Sequence, residues 1–236
     1  MNVFQMLRLP DLVSLLNLLF GIGSISAAHN GSFDLALIFL LLAAVADGAD
    51  GYIARRFSGG ELGEQLDSLA DAVSFGVAPS LIIYFGFGGE DLLVPIFSCF
   101  YAVCGVLRLA RFNALPSKKI GFEGLPITAG CVMLVSYLLL DMSLLRIDFL
   151  LVLTLALSFL MVSTVAYPKV RNIKILAFVA FVFGVTVLLF FVNPYYMRLF
   201  SVVPFVLMLT YLLSPFLKVP LLSSANNKNG RAGRKG

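Results

Sequence analysis

The sequence predicts an all-α integral membrane protein that crosses the bilayer eight times with both termini on the cytoplasmic side. Three observations carry this prediction. The 236 residues are 60% hydrophobic and only 13% charged, whereas soluble domains are roughly 45–50% apolar and about 25% charged. Apolar runs of roughly 20 residues, the length a helix needs to cross a hydrocarbon core of about 30 Å, recur along the chain. The basic residues fall almost entirely on one side of the resulting zigzag. A chain this short of polar residues cannot coat a water-soluble domain, and disordered, collagen-like and disulfide-stapled classes are excluded with it. The net charge of +4 reflects sidedness and not a nucleic-acid partner.

Met1 to Leu9 precede Pro10 and read as a short interfacial segment. Spans follow at 12–28, 34–55, 64–86, 92–113, 125–145, 149–167, 173–192 and 198–217. Turn chemistry divides them: His29-Asn30-Gly31-Ser32, Ser58-Gly59-Gly60, Gly86 to Asp91, Pro116 to Gly124, Asp141 to Asp148, Pro168 to Asn172, and Asn193-Pro194. With Arg8 inside, the cytoplasmic loops receive Arg55, Arg56, Arg108, Arg111, Lys118, Lys119, Lys169, Arg171 and Lys174, and the tail adds five more. Fifteen of the 17 basic residues are then inside and only Arg146 and Arg198 outside, the bias of the positive-inside rule. Residues 1–217 are expected to form one membrane domain, and 218–236 a basic, disordered cytoplasmic tail. Cys99, Cys104 and Cys131 lie in apolar stretches, against a disulfide or zinc role. His29 has no second histidine with which to share a metal.

Ionisable groups inside spans are costly and mark functional sites by default. Most acids, Asp11 included, are expected in loops or at interfaces. Asp47 and Asp50, near the end of the second span, and Asp67 and Asp71, near the start of the third, are not. At about 100° per residue, neighbours three or four apart share a helix face, so each pair occupies one face. The short loop between the spans makes them antiparallel, with all four carboxylates at similar depth. Oxygen-only ligands favour hard cations such as Mg²⁺ or Mn²⁺, and four acids suffice for two ions clamping a phosphoryl displacement. Gly51, Ala54 and Gly63 remove bulk beside the acids, and Arg55 offers a planar cation suited to phosphate. Tight helix packing by small residues is the plainer reading of those neighbours.

The run Asp47-Gly48-Ala49-Asp50-Gly51-Tyr52-Ile53-Ala54-Arg55, with Gly63-Glu64-Gln65-Leu66-Asp67-Ser68-Leu69-Ala70-Asp71, resembles the signature D-x-x-D-G-x-x-A-R…G-x-x-x-D-x-x-x-D of the CDP-alcohol phosphotransferase family. All eight fixed positions match. The resemblance implies a dinuclear Mg²⁺ or Mn²⁺ centre on Asp47, Asp50, Asp67 and Asp71, with Asp71 also the catalytic base. It implies a CDP-lipid site formed by Asp47, Asp50, Gly51, Ala54, Arg55, Gly63 and Asp67. It further implies a six-helix core, here with two extra helices, and a homodimer. Asp71-Ala72-Val73-Ser74-Phe75-Gly76-Val77-Ala78-Pro79, Leu107-Arg108-Leu109-Ala110-Arg111-Phe112-Asn113 and Phe122-Glu123-Gly124-Leu125-Pro126 are similar to the phosphatidylserine synthase branch. Leu9-Pro10-Asp11 departs from it, since relatives often carry Leu-Pro-Asn there.

The resemblance thus implies transfer of a phosphatidyl or archaetidyl group from CDP-diacylglycerol or CDP-archaeol to L-serine with release of CMP, at the cytoplasmic face of a multi-pass cell-membrane protein. Serine's carboxylate needs cations, and Arg108, Arg111 and Lys119 are the candidates, with Ser74 and Asn113 as hydrogen-bonding groups; Lys118 fits a purely topological role. Inositol phosphate or glycerol phosphate is the alternative acceptor within the same signature. A cation or proton transporter built on the acidic pairs is the reading from a different class.

Overall fold

The computed structural model describes residues 7–56, 63–89, 92–114, 122–168 and 173–217. Helix α1 (Leu9–His29) carries Pro10 in its first turn, where the missing N–H is no loss, and Asp11 accepts a 2.8 Å hydrogen bond from the Arg8 backbone. α2 (Phe33–Arg56) follows. α3 (Gly63–Phe87) is one rod with a π-helical turn at Ala72–Val77. Then come α4 (Leu93–Ala114), α5 (Ile127–Leu138), α6 (Ile147–Val162), α7 (Ile173–Val192), α8 (Pro194–Phe200) and α9 (Val202–Leu217). The strands β1 (Phe122–Glu123) and β2 (Ala166–Tyr167) pair antiparallel, Phe122 opposite Tyr167.

Among the described residues, five helical stretches are long and apolar enough to cross a membrane by length and composition: Pro10–His29, Gly63–Phe87, Leu93–Ala114, Lys174–Val192, and Pro194–Phe216, which runs through α8 and α9. α2 has the length, at 24 residues, but carries Asp34, Asp47 and Asp50. α5 and α6 are shorter than the expected spans 125–145 and 149–167, at 12 and 16 residues. The early end of α5 has a local cause. Asp141 accepts hydrogen bonds from the Ser143 backbone and hydroxyl, and Tyr137 Oη accepts from the Arg146 backbone, so the chain turns before the apolar run is used up. The expected span 198–217 is divided at Ser201, a turn residue between α8 and α9.

α1 is polar inward and apolar outward. Asp11, Ser14, Asn17 and Ser24 are buried, while Leu12, Leu16, Leu19 and Ile22 are exposed. That inversion suits a lipid surround, where apolar groups face the solvent and polar groups must find partners inside. Asp11, expected at an interface, is fully buried, because Gly63 presents no side chain against it. α1 packs along α2 and against α3, α4 packs on α6, and α5 lies in the middle, buried from Gly130 through Leu138. At the end of the bundle away from Asp47, Arg198 forms a 2.6 Å ion pair with Asp34 and donates to the Leu140 carbonyl.

Candidate active site

The end of α2 and the start of α3 bring the acids together. Asp47, Asp67 and Asp71 each offer a carboxylate oxygen, and the three oxygens lie within 4.8 Å of one another. Asp50, one turn along α2, is buried and within electrostatic reach of Asp67. Carboxylates so close in a low-dielectric setting repel unless cations neutralise them. The donor set is oxygen only, and Asp67 Oδ1 is buried with no hydrogen-bond partner among the described residues. Both features fit a hard divalent ion.

Three of the acids are each held by a neutral donor from another part of the bundle. Ser14 Oγ donates to Asp50 Oδ2 at 2.9 Å, Asn17 Nδ2 to Asp71 Oδ1 at 3.0 Å, and Thr128 Oγ1 to Asp47 Oδ2 at 3.1 Å. None of these donors was singled out from the sequence. Their one signal is the spacing of Asp11, Ser14 and Asn17, which puts three polar groups on a single face of the first apolar span.

Directly after Asp71 the helix widens into the π turn, a feature that often accompanies functional sites. The turn brings Ser74 against α1, where its hydroxyl donates to the Asn17 carbonyl at 2.9 Å. Gly21 makes that approach possible: a Cβ there would stand 2.3 Å from Ser74 Oγ and 2.9 Å from Ser74 Cα. Ser80 Oγ donates to the Gly76 carbonyl at 2.8 Å, adding a partner within the distorted stretch. Ser74, expected to meet serine, is therefore fully buried and committed to the α1–α3 contact.

The cations sort by environment. Arg108 is buried and within electrostatic reach of Asp71 and Asp47, with its guanidinium 5.6 Å from the Phe112 ring centroid. Arg111, expected at the serine site, gives three hydrogen bonds to backbone carbonyls. It donates to the carbonyls of Glu123 (2.7 Å), Met161 (3.2 Å) and Val162 (3.0 Å), fastening β1 to the end of α6. Gly124, at φ 82°, lies under that guanidinium in a conformation that favours glycine. Asn113 exchanges hydrogen bonds with Ser68, the neighbour of Asp67, at 3.0 and 3.2 Å. Gly51 and Gly63 are half-buried beside the acids. The side chains of Ala54 and Arg55, together with Lys118, Lys119 and the 218–236 tail, lie outside the described residues.

α9 reaches the same end of the bundle. Tyr211 stands within electrostatic reach of Arg108, sets its ring tilted 5.7 Å from that of Tyr167, and donates its hydroxyl to the Pro168 carbonyl.

A helical membrane protein with a carboxylate cluster at one end of its bundle, able to hold a metal ion and faced by a buried arginine, is the class defined so far. Residues 7–160 match the CDP-alcohol phosphatidyltransferase family. The chain is 36% identical over 173 residues to the archaetidylserine synthase of Methanothermobacter thermautotrophicus, covering 72% of this chain and 73% of that protein. It is 37% identical over 172 residues to the CDP-diacylglycerol–serine O-phosphatidyltransferase of Methanocaldococcus jannaschii, covering 72% and 79%. The Helicobacter pylori (strain 26695) protein of the latter name is 35% identical over 180 residues, covering 70% and 73%. The chain belongs to the CDP-alcohol phosphatidyltransferase family and is a transferase.

Proposed function

We propose that this protein transfers a phosphatidyl or archaetidyl group from CDP-diacylglycerol or CDP-archaeol to L-serine and releases CMP. The reading is carried by the gathering of Asp47, Asp67 and Asp71 at one end of the bundle, with Arg108 in electrostatic reach. The names of the archaeal and Helicobacter relatives support serine as the acceptor. The serine hydroxyl oxygen attacks the lipid-side phosphorus. A new O–P bond forms as the bond from that phosphorus to the bridging oxygen breaks. CMP leaves with the bridging oxygen, and the hydroxyl proton passes to the Asp71 carboxylate. Two divalent cations, Mg²⁺ or Mn²⁺, held by Asp47, Asp50, Asp67 and Asp71, supply charge neutralisation at the diphosphate.

Arg108 pairs with the serine carboxylate, assisted by Asn113 and Lys119, while Arg111 and Ser74 shape that side through the backbone they hold. Gly51, Ala54 and Gly63 border the nucleotide, and Arg55 helps to hold it. The chain spans the bilayer eight times with both termini inside, works at the cytoplasmic face where serine and CMP are dissolved, and forms a homodimer. The fifteen-to-two partition of basic residues supports that sidedness.

The test is CMP release by the purified protein in vesicles, from either CDP-lipid, with serine, inositol phosphate or glycerol phosphate, in Mg²⁺, Mn²⁺ or chelator. Serine-dependent, metal-dependent release without ion flux is expected. Release with a phosphorylated alcohol but not serine reassigns the acceptor, and ion flux without CMP release overturns the reading.

A further inference from the structure

We infer that Asn17 is a positioning residue for the transfer reaction: its side-chain amide holds the Asp71 carboxylate in the orientation from which it accepts the acceptor's proton. The inference rests on the transferase reading above and assigns a role to a residue of α1, which carries none of the signature positions.

The geometry is specific to an amide. Asn17 is fully buried and its Nδ2 donates to Asp71 Oδ1 at 3.0 Å. The reversed amide would set Oδ1 against a carboxylate oxygen, so the donor side faces Asp71. The hydroxyls of Ser14 and Thr128, which serve Asp50 and Asp47, rotate freely about their C–O bonds. A planar amide cannot turn away without losing its bond. Asn17 is also fixed from behind, because its backbone carbonyl accepts from Ser74 Oγ at 2.9 Å across the Gly21 contact. One end of the clamp is the π turn that begins next to Asp71, so the acid and the amide that orients it are tied to the same distortion.

The arrangement is also unfavourable to stability, which separates a working residue from a packing one. Asn17 Oδ1 is buried with no hydrogen-bond partner among the described residues, and a buried polar atom left unpaired costs stability outright. An apolar side chain there would carry no unpaired oxygen of its own, though it would leave Asp71 Oδ1 without its donor. An asparagine kept there for packing alone is the poorer choice; one kept to hold Asp71 is not.

The experiment compares N17L with the unaltered protein, using whichever acceptor supports CMP release by the latter. Losing serine as acceptor would then displace the serine reading and leave the Asn17 comparison standing. Outer groups that orient ligating or catalytic side chains typically contribute about 10–100-fold. The expected result is a fall of about that size in kcat, with KM for the CDP-lipid and the acceptor changed by less than about threefold and a cooperative thermal transition retained. N17A, read the same way, covers a failure of N17L to fold. S24A is the control on the same helix: Ser24 Oγ bonds the Ala36 carbonyl at 2.8 Å, away from the acids, and kcat should stay at the unaltered value. A kcat for N17L and N17A within about twofold of the unaltered protein overturns the inference. So does a kcat loss accompanied by an equal loss in S24A or by a collapse of Tm.

Discussion

Replacing Gly21 by alanine tests the contact on which the site's inner wall depends. In an ordinary helix the change is favourable by about 0.5–1 kcal/mol, since alanine loses less backbone freedom on folding. Here the new Cβ would lie 2.3 Å from Ser74 Oγ and 2.9 Å from Ser74 Cα. The second contact is with backbone, so a rotamer change cannot relieve it and α1 must move away from the π turn. Overpacking of this kind costs about 1–3 kcal/mol, which offsets the propensity gain and leaves a net loss of up to about 2.5 kcal/mol. At this chain length that lowers Tm by up to roughly 10 °C. The chain has no tryptophan, so unfolding is best followed with a thiol-reactive fluorophore that reports exposure of the buried Cys104 and Cys131. Gly184 supplies the comparison, because nothing stands within 4 Å of a Cβ there. G184A should keep its CMP release and match or exceed the unaltered Tm, whereas G21A should lose both Tm and activity as Ser74 and Asn17 shift relative to Asp71. A G21A protein as stable and as active as G184A would refute the close approach of α1 to the π turn.

D71N removes the proposed proton acceptor and should lower CMP release about 10²–10⁴-fold, the usual contribution of a general base; substantial retained turnover would remove Asp71 from that role. R108A should raise KM for serine roughly 10–100-fold, the worth of a charge-assisted hydrogen bond of about 1.5–3 kcal/mol, while KM for the CDP-lipid changes less; equal effects on both substrates would argue against a carboxylate contact. R111K should lower Tm nearly as much as R111A, since a single ammonium cannot reproduce the fork that reaches three carbonyls; a raised serine KM at unchanged Tm would instead place Arg111 on the substrate. R198A breaks the Asp34 pair, which lies 13 residues from Asp47 on α2, or about 20 Å along the helix. It should cost about 1–2 kcal/mol in thermal unfolding, with kcat below Tm unchanged; a parallel loss of kcat would mean that the two ends of the bundle are not independent.

The acids were legible in the sequence because carboxylates stand out in an apolar run and their spacing alone puts them on one face. Their hydrogen-bonding partners were not. A serine or threonine within an apolar helix commonly bonds its own preceding turn, as Thr154, Ser158 and Thr186 do here, and composition cannot separate these from Ser14 or Thr128. Arg111 illustrates a second limit. Its place on the expected inner side after the fourth span, with the branch resemblance, suggested a substrate contact, yet the carbonyls it meets come from residues 123, 161 and 162, a juxtaposition only the folded chain reveals. Helices α1, α4 and α7 were legible by length and apolarity. The ends of α5 and α6 were not, since Leu139 and Leu140 are buried although the helix stops at Leu138, and hydropathy is blind to such a turn. Likewise, nothing in Ala72–Val77 distinguishes a π turn from a regular one.

The inverted face of α1 also bears on how such a protein is put together. As the chain enters the bilayer, α1 precedes the helices that satisfy it, and its partners for Ser14 and Asn17 lie 36 and 54 residues further on. Alone in hydrocarbon, the helix would present Asn17 and Ser24 without the side-chain partners of the fold, while Asp11 and Ser14 would have only those of their own first turn. It comes to rest only when α2 and α3 supply Asp50 and Asp71. Biogenesis and chemistry therefore meet in the same contacts: the step that lets the first span settle in the lipid is the step that assembles the reaction centre, so a nascent chain arrested before α3 is both poorly inserted and inert.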